Sequence, residues 1–99
     1  MKSNKLSLYI DYASQPSRAI IAFCNINSIP HEVKEIRISK GQHREAEFLQ
    51  INPNGYLPAI DDAGFKLSES HAILRYLAQT RRVASHWYPH DLQQRAIVD

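Results

Sequence analysis

Between Arg18 and Ile26 seven of nine residues are apolar: Ala19, Ile20, Ile21, Ala22, Phe23, Cys24 and Ile26. At helical spacing they occupy nearly the whole circumference, and a helix apolar all round demands burial on more than one side. Pro16 suits the first position of this helix, where its missing N–H costs nothing. In a chain of only 99 residues, one side of such a helix stands to lack its cover. The fold therefore has to place other elements around this segment.

The flanking patterns supply them. Leu6-Ser7-Leu8-Tyr9-Ile10 alternates and predicts a strand. After the break Asn27-Ser28-Ile29-Pro30, the stretch His31 to Ile38 sets Val33, Ile36 and Ile38 among charges and predicts a second strand. Ser39 to His43 reads as a loop and Arg44 to Ile51 as a short helix. Asn52-Pro53-Asn54-Gly55 is a turn signal. Tyr56 to Ile60 predicts a short strand containing Pro58, which cannot donate to a ladder. Asp61-Asp62-Ala63-Gly64 predicts a hairpin turn into Phe65-Lys66-Leu67. Ser68 is expected to cap a helix from Glu69 to about Arg81, with Ile73, Leu74, Leu77 and Ala78 on one face. The order is β-α-β-α-β-β-α. The first two strands, joined through a helix, should be parallel with a right-handed crossover, and the last two antiparallel.

Composition narrows the function classes. One domain is the expectation for this length. The net charge is +2, with 12 Lys and Arg set against 10 Asp and Glu. Only Arg81-Arg82 clusters, so no electrostatic footprint for nucleic acid is expected. The longest apolar run, Ala19 to Cys24, is too short to cross a bilayer, so no membrane partner is expected. No signal peptide is expected either, because Asp11 interrupts the first apolar stretch and no small-residue cleavage site follows it. A reduced, cytoplasmic setting is the default. The lone Cys24 excludes an internal disulfide. Five His raise the question of a metal. His31, His43 and His71 fall in separate elements, and Pro89 between His86 and His90 argues against a helical pair, so no metal site is predicted.

Four motifs in order carry a resemblance: Leu6-Ser-Leu-Tyr-Ile-Asp-Tyr-Ala-Ser-Gln-Pro-Ser-Arg-Ala, Lys40-Gly-Gln-His, Asn52-Pro-Asn-Gly-Tyr-Leu-Pro-Ala-Ile and Leu67-Ser-Glu-Ser-His-Ala-Ile-Leu-Arg-Tyr-Leu. Together they resemble the glutathione transferases, the theta class above all, along essentially the whole chain. The resemblance implies an α/β fold: a thioredoxin-like βαβαββα domain with a mixed four-stranded sheet flanked by helices. It implies a glutathione-binding domain over 1–82. Residues 83–99, with Trp87-Tyr88-Pro89 and a helix capped by Asp91, would be the linker and the start of the first helix of a missing C-terminal helical domain. It also implies glutathione as co-substrate with no metal, a hydrophobic electrophile, hydroperoxide reduction as a second activity, and a homodimer in the full-length form. A chain without its helical domain is expected to bind glutathione weakly and turn over poorly.

Each site residue has a plain reading beside the implied one. Ser14 precedes the Pro-started helix and suits a cap for Ser17 or Arg18; the resemblance makes its hydroxyl the donor to the glutathione sulfur. Glu69 and Ser70 suit an ordinary helix start; the resemblance gives them the γ-glutamyl end, with the helix N-terminus as anion site. X–Pro bonds are mostly trans; the resemblance implies a cis bond at Leu57-Pro58, with the Leu57 backbone pairing with the cysteinyl part. His43 suits a solvated loop; the resemblance brings it to the glycyl carboxylate, with Lys40 or Arg44 nearby. Tyr56 departs from the Lys that many relatives carry there and offers that carboxylate only a neutral hydroxyl.

Ser14-Gln15-Pro16-Ser17 occupies the place of the Cys-x-x-Cys of redox thioredoxin folds. Both thiols are absent, which excludes dithiol chemistry. Cys24 reads as a small core residue. The reading of another class is a non-enzymatic glutathione-binding or protein-interaction module, to which the Tyr56 departure points.

Overall fold

The computed structural model describes residues 6–81. It contains β1 (Leu6–Ile10), α1 (Gln15–Ile26), β2 (Glu32–Glu35), α2 (Ala46–Ile51), β3 (Ala59–Asp62), β4 (Phe65–Ser68) and α3 (Ser70–Thr80). Two 3₁₀ turns, Ile38–Lys40 and Gln42–Arg44, stand where a loop was expected. The sheet order is β2-β1-β3-β4. β1 is parallel to β2 and antiparallel to β3, and β3 is antiparallel to β4. This is the expected mixed four-stranded sheet. The linker, Trp87-Tyr88-Pro89, His86, His90 and the Asp91-capped helix lie outside the described residues.

The alternation of β1 sorts the layers. Leu6, Leu8 and Ile10 are fully buried and pack with Ile20, Phe23 and Cys24 of α1 and Ile73, Leu77 and Ala78 of α3. Tyr9 points to the opposite face, where its ring lies 6.0 Å from that of buried Phe48 in α2. Helices α1 and α3 thus cover one face and α2 the other.

The first helix keeps its expectation, buried on more than one side and uncovered on another: Ala19 and Ala22 are exposed and Ile26 is 60% exposed. Sheet and α3 cover two directions, and nothing among the described residues covers the third. Several expectations change at the element ends. β2 is shorter than expected. The chain leaves the sheet at Ile36, whose N–H makes a last bond to Ile10 O at 2.7 Å. Pro58 precedes β3 instead of lying within it, because a residue without an N–H is best placed before the ladder starts. Ser68 does not cap α3. It ends β4, paired with Ala59, and Glu69 occupies the cap position with φ 79° and no side-chain hydrogen bond. The hairpin turn is Ala63-Gly64, both at positive φ, as a two-residue turn matching strand twist requires.

Candidate functional site

Register aligns Ile10 with Glu35, Tyr9 with Ala59, and Ala59 with Ser68. The carboxyl ends of β1, β2 and β4 and the amino end of β3 therefore meet at one edge of the sheet. In open sheets with parallel strands, ligands favour the crevice beyond the carboxyl ends. The connections leaving this edge carry Ser14, Ile38, Leu57-Pro58 and Glu69-Ser70. A cleft of about 980 Å³ opens there, lined by His43, Tyr56, Leu57, Pro58, Glu69 and Ser70 together with Arg44 and Pro16. All six residues named for glutathione border it. Ser14 lines an adjoining cleft of about 550 Å³ with Asp11, Tyr12 and Arg37, and Ile38 borders both clefts.

Ser14 is the N-cap of α1 in extended conformation, and its Oγ accepts the Ser17 N–H at 3.4 Å. That bond is long and uses one lone pair. The hydroxyl proton stays available to donate elsewhere. Capping and donation to a ligand are therefore compatible, where the sequence had posed them as alternatives. Ser17 is fully buried and accepts the Asp11 N–H at 3.3 Å.

Glu69 is held at φ 79°, a region L-residues rarely adopt and which costs on the order of 1–3 kcal/mol. The first N–H groups of α3 have no partner within the helix, and Glu69 gives them no side-chain oxygen. Positive helix-end charge and open N–H donors suit a carboxylate at Ser70.

The Leu57-Pro58 bond is cis. Asn52 organises the approach to it, accepting the Asn54 N–H at 3.2 Å and donating its amide to Tyr56 O at 3.1 Å. Tyr56 itself is 71% exposed. Gly55 sits at φ 73°, and a Cβ there would come within 3.2 Å of His43 O. The turn thus packs its backbone on that of the His43 segment. His43 Nδ1 is enclosed and has no hydrogen-bond partner in the protein, a condition that costs about 1–3 kcal/mol unless a ligand or water meets it.

Sequence reasoning gave Asp11 no part in the site. It is nearly buried and accepts from Ala13 N–H at 2.9 Å and Ile38 N–H at 3.0 Å. These two backbone donors hold its carboxyl below the usual carboxylate range, burial opposes them, and Arg37 and His43 add attraction. The Asx turn to Ala13 is a local signal that could have found it; the bond across to Ile38 is not local. Cys24 is fully buried, and burial raises its thiol to about 11. Among the described residues no group of three or more His, Cys, Asp or Glu could hold a metal. No described helix is long and apolar enough to cross a membrane.

This edge, with a cis proline facing a helix start across a cleft, defines a class of domain. Residues 8–79 match the family model "Glutathione S-transferase, N-terminal domain". The chain is 50% identical over 94 residues to rat glutathione S-transferase theta-1, covering 95% of this chain and 39% of that protein. It superimposes with a TM-score of 0.88 on human glutathione transferase theta-2 in complex with glutathione, at 50% identity, covering 92% of this chain and 37% of the other. A human theta-class enzyme bound to the glutathione conjugate of 1-menaphthyl sulfate gives a TM-score of 0.90 at 50% identity, covering 95% and 38%. The chain belongs to the glutathione S-transferase family and is a theta-class-like N-terminal, thioredoxin-like domain. It spans about two-fifths of the length of these relatives.

Proposed function

We propose that this chain is the glutathione-binding part of a cytoplasmic glutathione transferase, which works as a homodimer in detoxification. Ser70 and the start of α3 hold the γ-glutamyl carboxylate, with Glu69 beside its amino group. The Leu57 backbone pairs with the cysteinyl unit, and His43 meets the glycyl carboxylate, with Tyr56 at its side. The Ser14 hydroxyl donates to the sulfur. The observation that carries this reading is the convergence of these residues on one sheet edge around two adjoining clefts.

The energetics suffice. A free thiol titrates near 8.5, so little is thiolate at neutral pH. Lowering that value by roughly two units takes about 2.7 kcal/mol of thiolate preference. A charge-assisted hydrogen bond from Ser14 supplies about 1.5–3 kcal/mol, and the N-terminus of α1 adds roughly 0.3–1 kcal/mol. The thiolate then attacks an electrophilic carbon of a hydrophobic substrate. A carbon–sulfur bond forms, and the leaving group departs with its electron pair or, in an addition, the adjacent carbon takes up a proton.

The test is Ser14→Ala, read by the ultraviolet absorbance of bound glutathione thiolate against pH. The bound thiol should titrate roughly 1–2 units higher in the variant. An unchanged titration would remove Ser14 from this role and favour a binding module over an enzyme.

A further inference from the structure

We propose that Asp11 is the positioning residue of this site. Its carboxylate clasps the β1–α1 loop to the Ile38–Lys40 turn and so fixes where the Ser14 hydroxyl points. The inference rests on the reading of Ser14 given above.

Asp11 is the first residue beyond β1, and its groups reach both walls of the smaller cleft. Its carbonyl accepts the Ser14 N–H at 2.8 Å. Its own N–H donates to buried Ser17 in the first turn of α1. One carboxylate oxygen takes the Ala13 N–H, beside Ser14, and the other takes the Ile38 N–H, 27 residues away. Ile38 opens a 3₁₀ turn, so its N–H has no partner within that turn. Arg37 N–H beside it is taken by Gln42 Oε1 at 2.7 Å. Asp11 therefore satisfies donors from two segments that both line the smaller cleft, beyond the last ladder bond from Ile36 N–H to Ile10 O. Ser14 belongs to one segment, and Ile38, on the other, borders both clefts. A donor set to receive charge on sulfur must be held in place before the charge forms, and a small misplacement is enough to lose much of its effect.

The carboxylate is also a negative charge near the place where the proposal puts a thiolate, and this separates positioning from simple electrostatics. If charge were all that mattered, Asp11→Asn would favour the thiolate, since it removes one negative charge from a cleft where Glu35 remains, paired with Arg37 at 3.2 Å. Positioning demands the opposite. An Asn side chain has one carbonyl oxygen, so one of the two amides loses its acceptor and the clasp opens.

The experiment measures the pH titration of bound glutathione thiol in the unaltered chain, Ser14→Ala, Asp11→Asn and Asp11→Glu. Calorimetry gives the glutathione affinity of each, and hydrogen exchange follows the Ala13 and Ile38 amides. Asp11→Asn and Asp11→Glu should each weaken thiol ionisation about tenfold while affinity changes by less than about threefold. Exchange at Ile38 or Ala13 should quicken while that at Leu8 in the core does not. Asp11→Glu keeps the charge and moves it by one methylene, so it decides the matter should Asp11→Asn fail to fold. Thiol ionisation unchanged or strengthened in the Asp11 variants, with Ser14→Ala weakening it, overturns this proposal alone. Ionisation unchanged in Ser14→Ala overturns the underlying reading, and the proposal falls with it.

Discussion

Asp62 and Arg81 tie the end of α3 to the β3–β4 hairpin, and removing that tie should cost a measurable share of the domain's stability. Arg81 donates to Asp62 through both terminal nitrogens, at 2.8 and 2.9 Å, and the Tyr76 hydroxyl donates to the same carboxylate at 2.6 Å. The Asp62 and Arg81 side chains are 12% and 21% exposed. An exposed ion pair is worth about 0.2–1 kcal/mol, whereas breaking a buried one costs about 3–5 kcal/mol. This pair is bidentate and mostly covered but still reaches water, so Asp62→Ala should cost about 2 kcal/mol. For a domain of this size that lowers the melting temperature by about 8–16 °C. The Asp62→Ala, Arg81→Met cycle should show a coupling of about 1–2 kcal/mol.

The sign of the pH dependence provides a second check. The Arg81 guanidinium, with the Tyr76 hydroxyl assisting, holds the Asp62 carboxyl below its ordinary value against the effect of burial. A carboxyl depressed in the folded state contributes stability that is full above its unfolded value, near 3.9, and is lost as pH falls through the folded value. The gap between wild type and Asp62→Ala, followed by circular dichroism melts, should be constant from neutral pH down to about 5 and narrow below about 4. A gap under about 0.5 kcal/mol at neutral pH, or one that does not narrow on acidification, would refute the assignment of stability to this ion pair.

Two further outcomes are expected. Gly55→Ala puts a Cβ at 3.2 Å from His43 O on a backbone at φ 73°; it should cost about 1–2 kcal/mol in denaturant unfolding and weaken glutathione binding by calorimetry, while unchanged values would remove the packing of that turn on the His43 segment. Cys24, buried with its thiol raised to about 11, should resist alkylation at neutral pH until denaturant unfolds the domain; native-state labelling at the rate of a free thiol would contradict its place in the core.

Where one periodicity decided an element, the sequence was legible. β1 follows from the alternation Leu6, Leu8, Ile10, and the core side of α3 from Ile73, Leu77 and Ala78, all buried. The boundaries set by tertiary geometry were not legible. Ser68 and Glu69 both read as a helix start, yet pairing with Ala59 keeps Ser68 in β4 and throws the turn onto Glu69 at positive φ. The first helix read as buried on more than one side with one side short of cover, and Ala19, Ala22 and Ile26 are the residues left exposed. For the candidate site the resemblance supplied names and the structure supplies only their grouping: the residues expected at glutathione line one cleft, and Ser14 lines the adjoining one. Asp11 was not legible, since its partner at Ile38 lies beyond the reach of any local pattern.

The site residues come from four separate chain segments, and the sheet register explains why they can act together. Each strand end is levelled with its neighbour by ladder hydrogen bonds, so the connections leave from one line. What remains variable is how each connection is folded after it leaves. Three local devices fix that here: the Asp11 clasp on the β1–α1 loop and the Ile38–Lys40 turn, the Asn52 bonds before Pro58, and the positive φ of Glu69 before Ser70. Each is a polar or strained feature with no part in the hydrophobic core. The core would therefore survive the loss of any one of them, while the alignment of the cleft would not. Variants at Asp11 and at a core position such as Ile73 should accordingly separate, the first shifting the titration of bound thiol and the second lowering the melting temperature without shifting that titration.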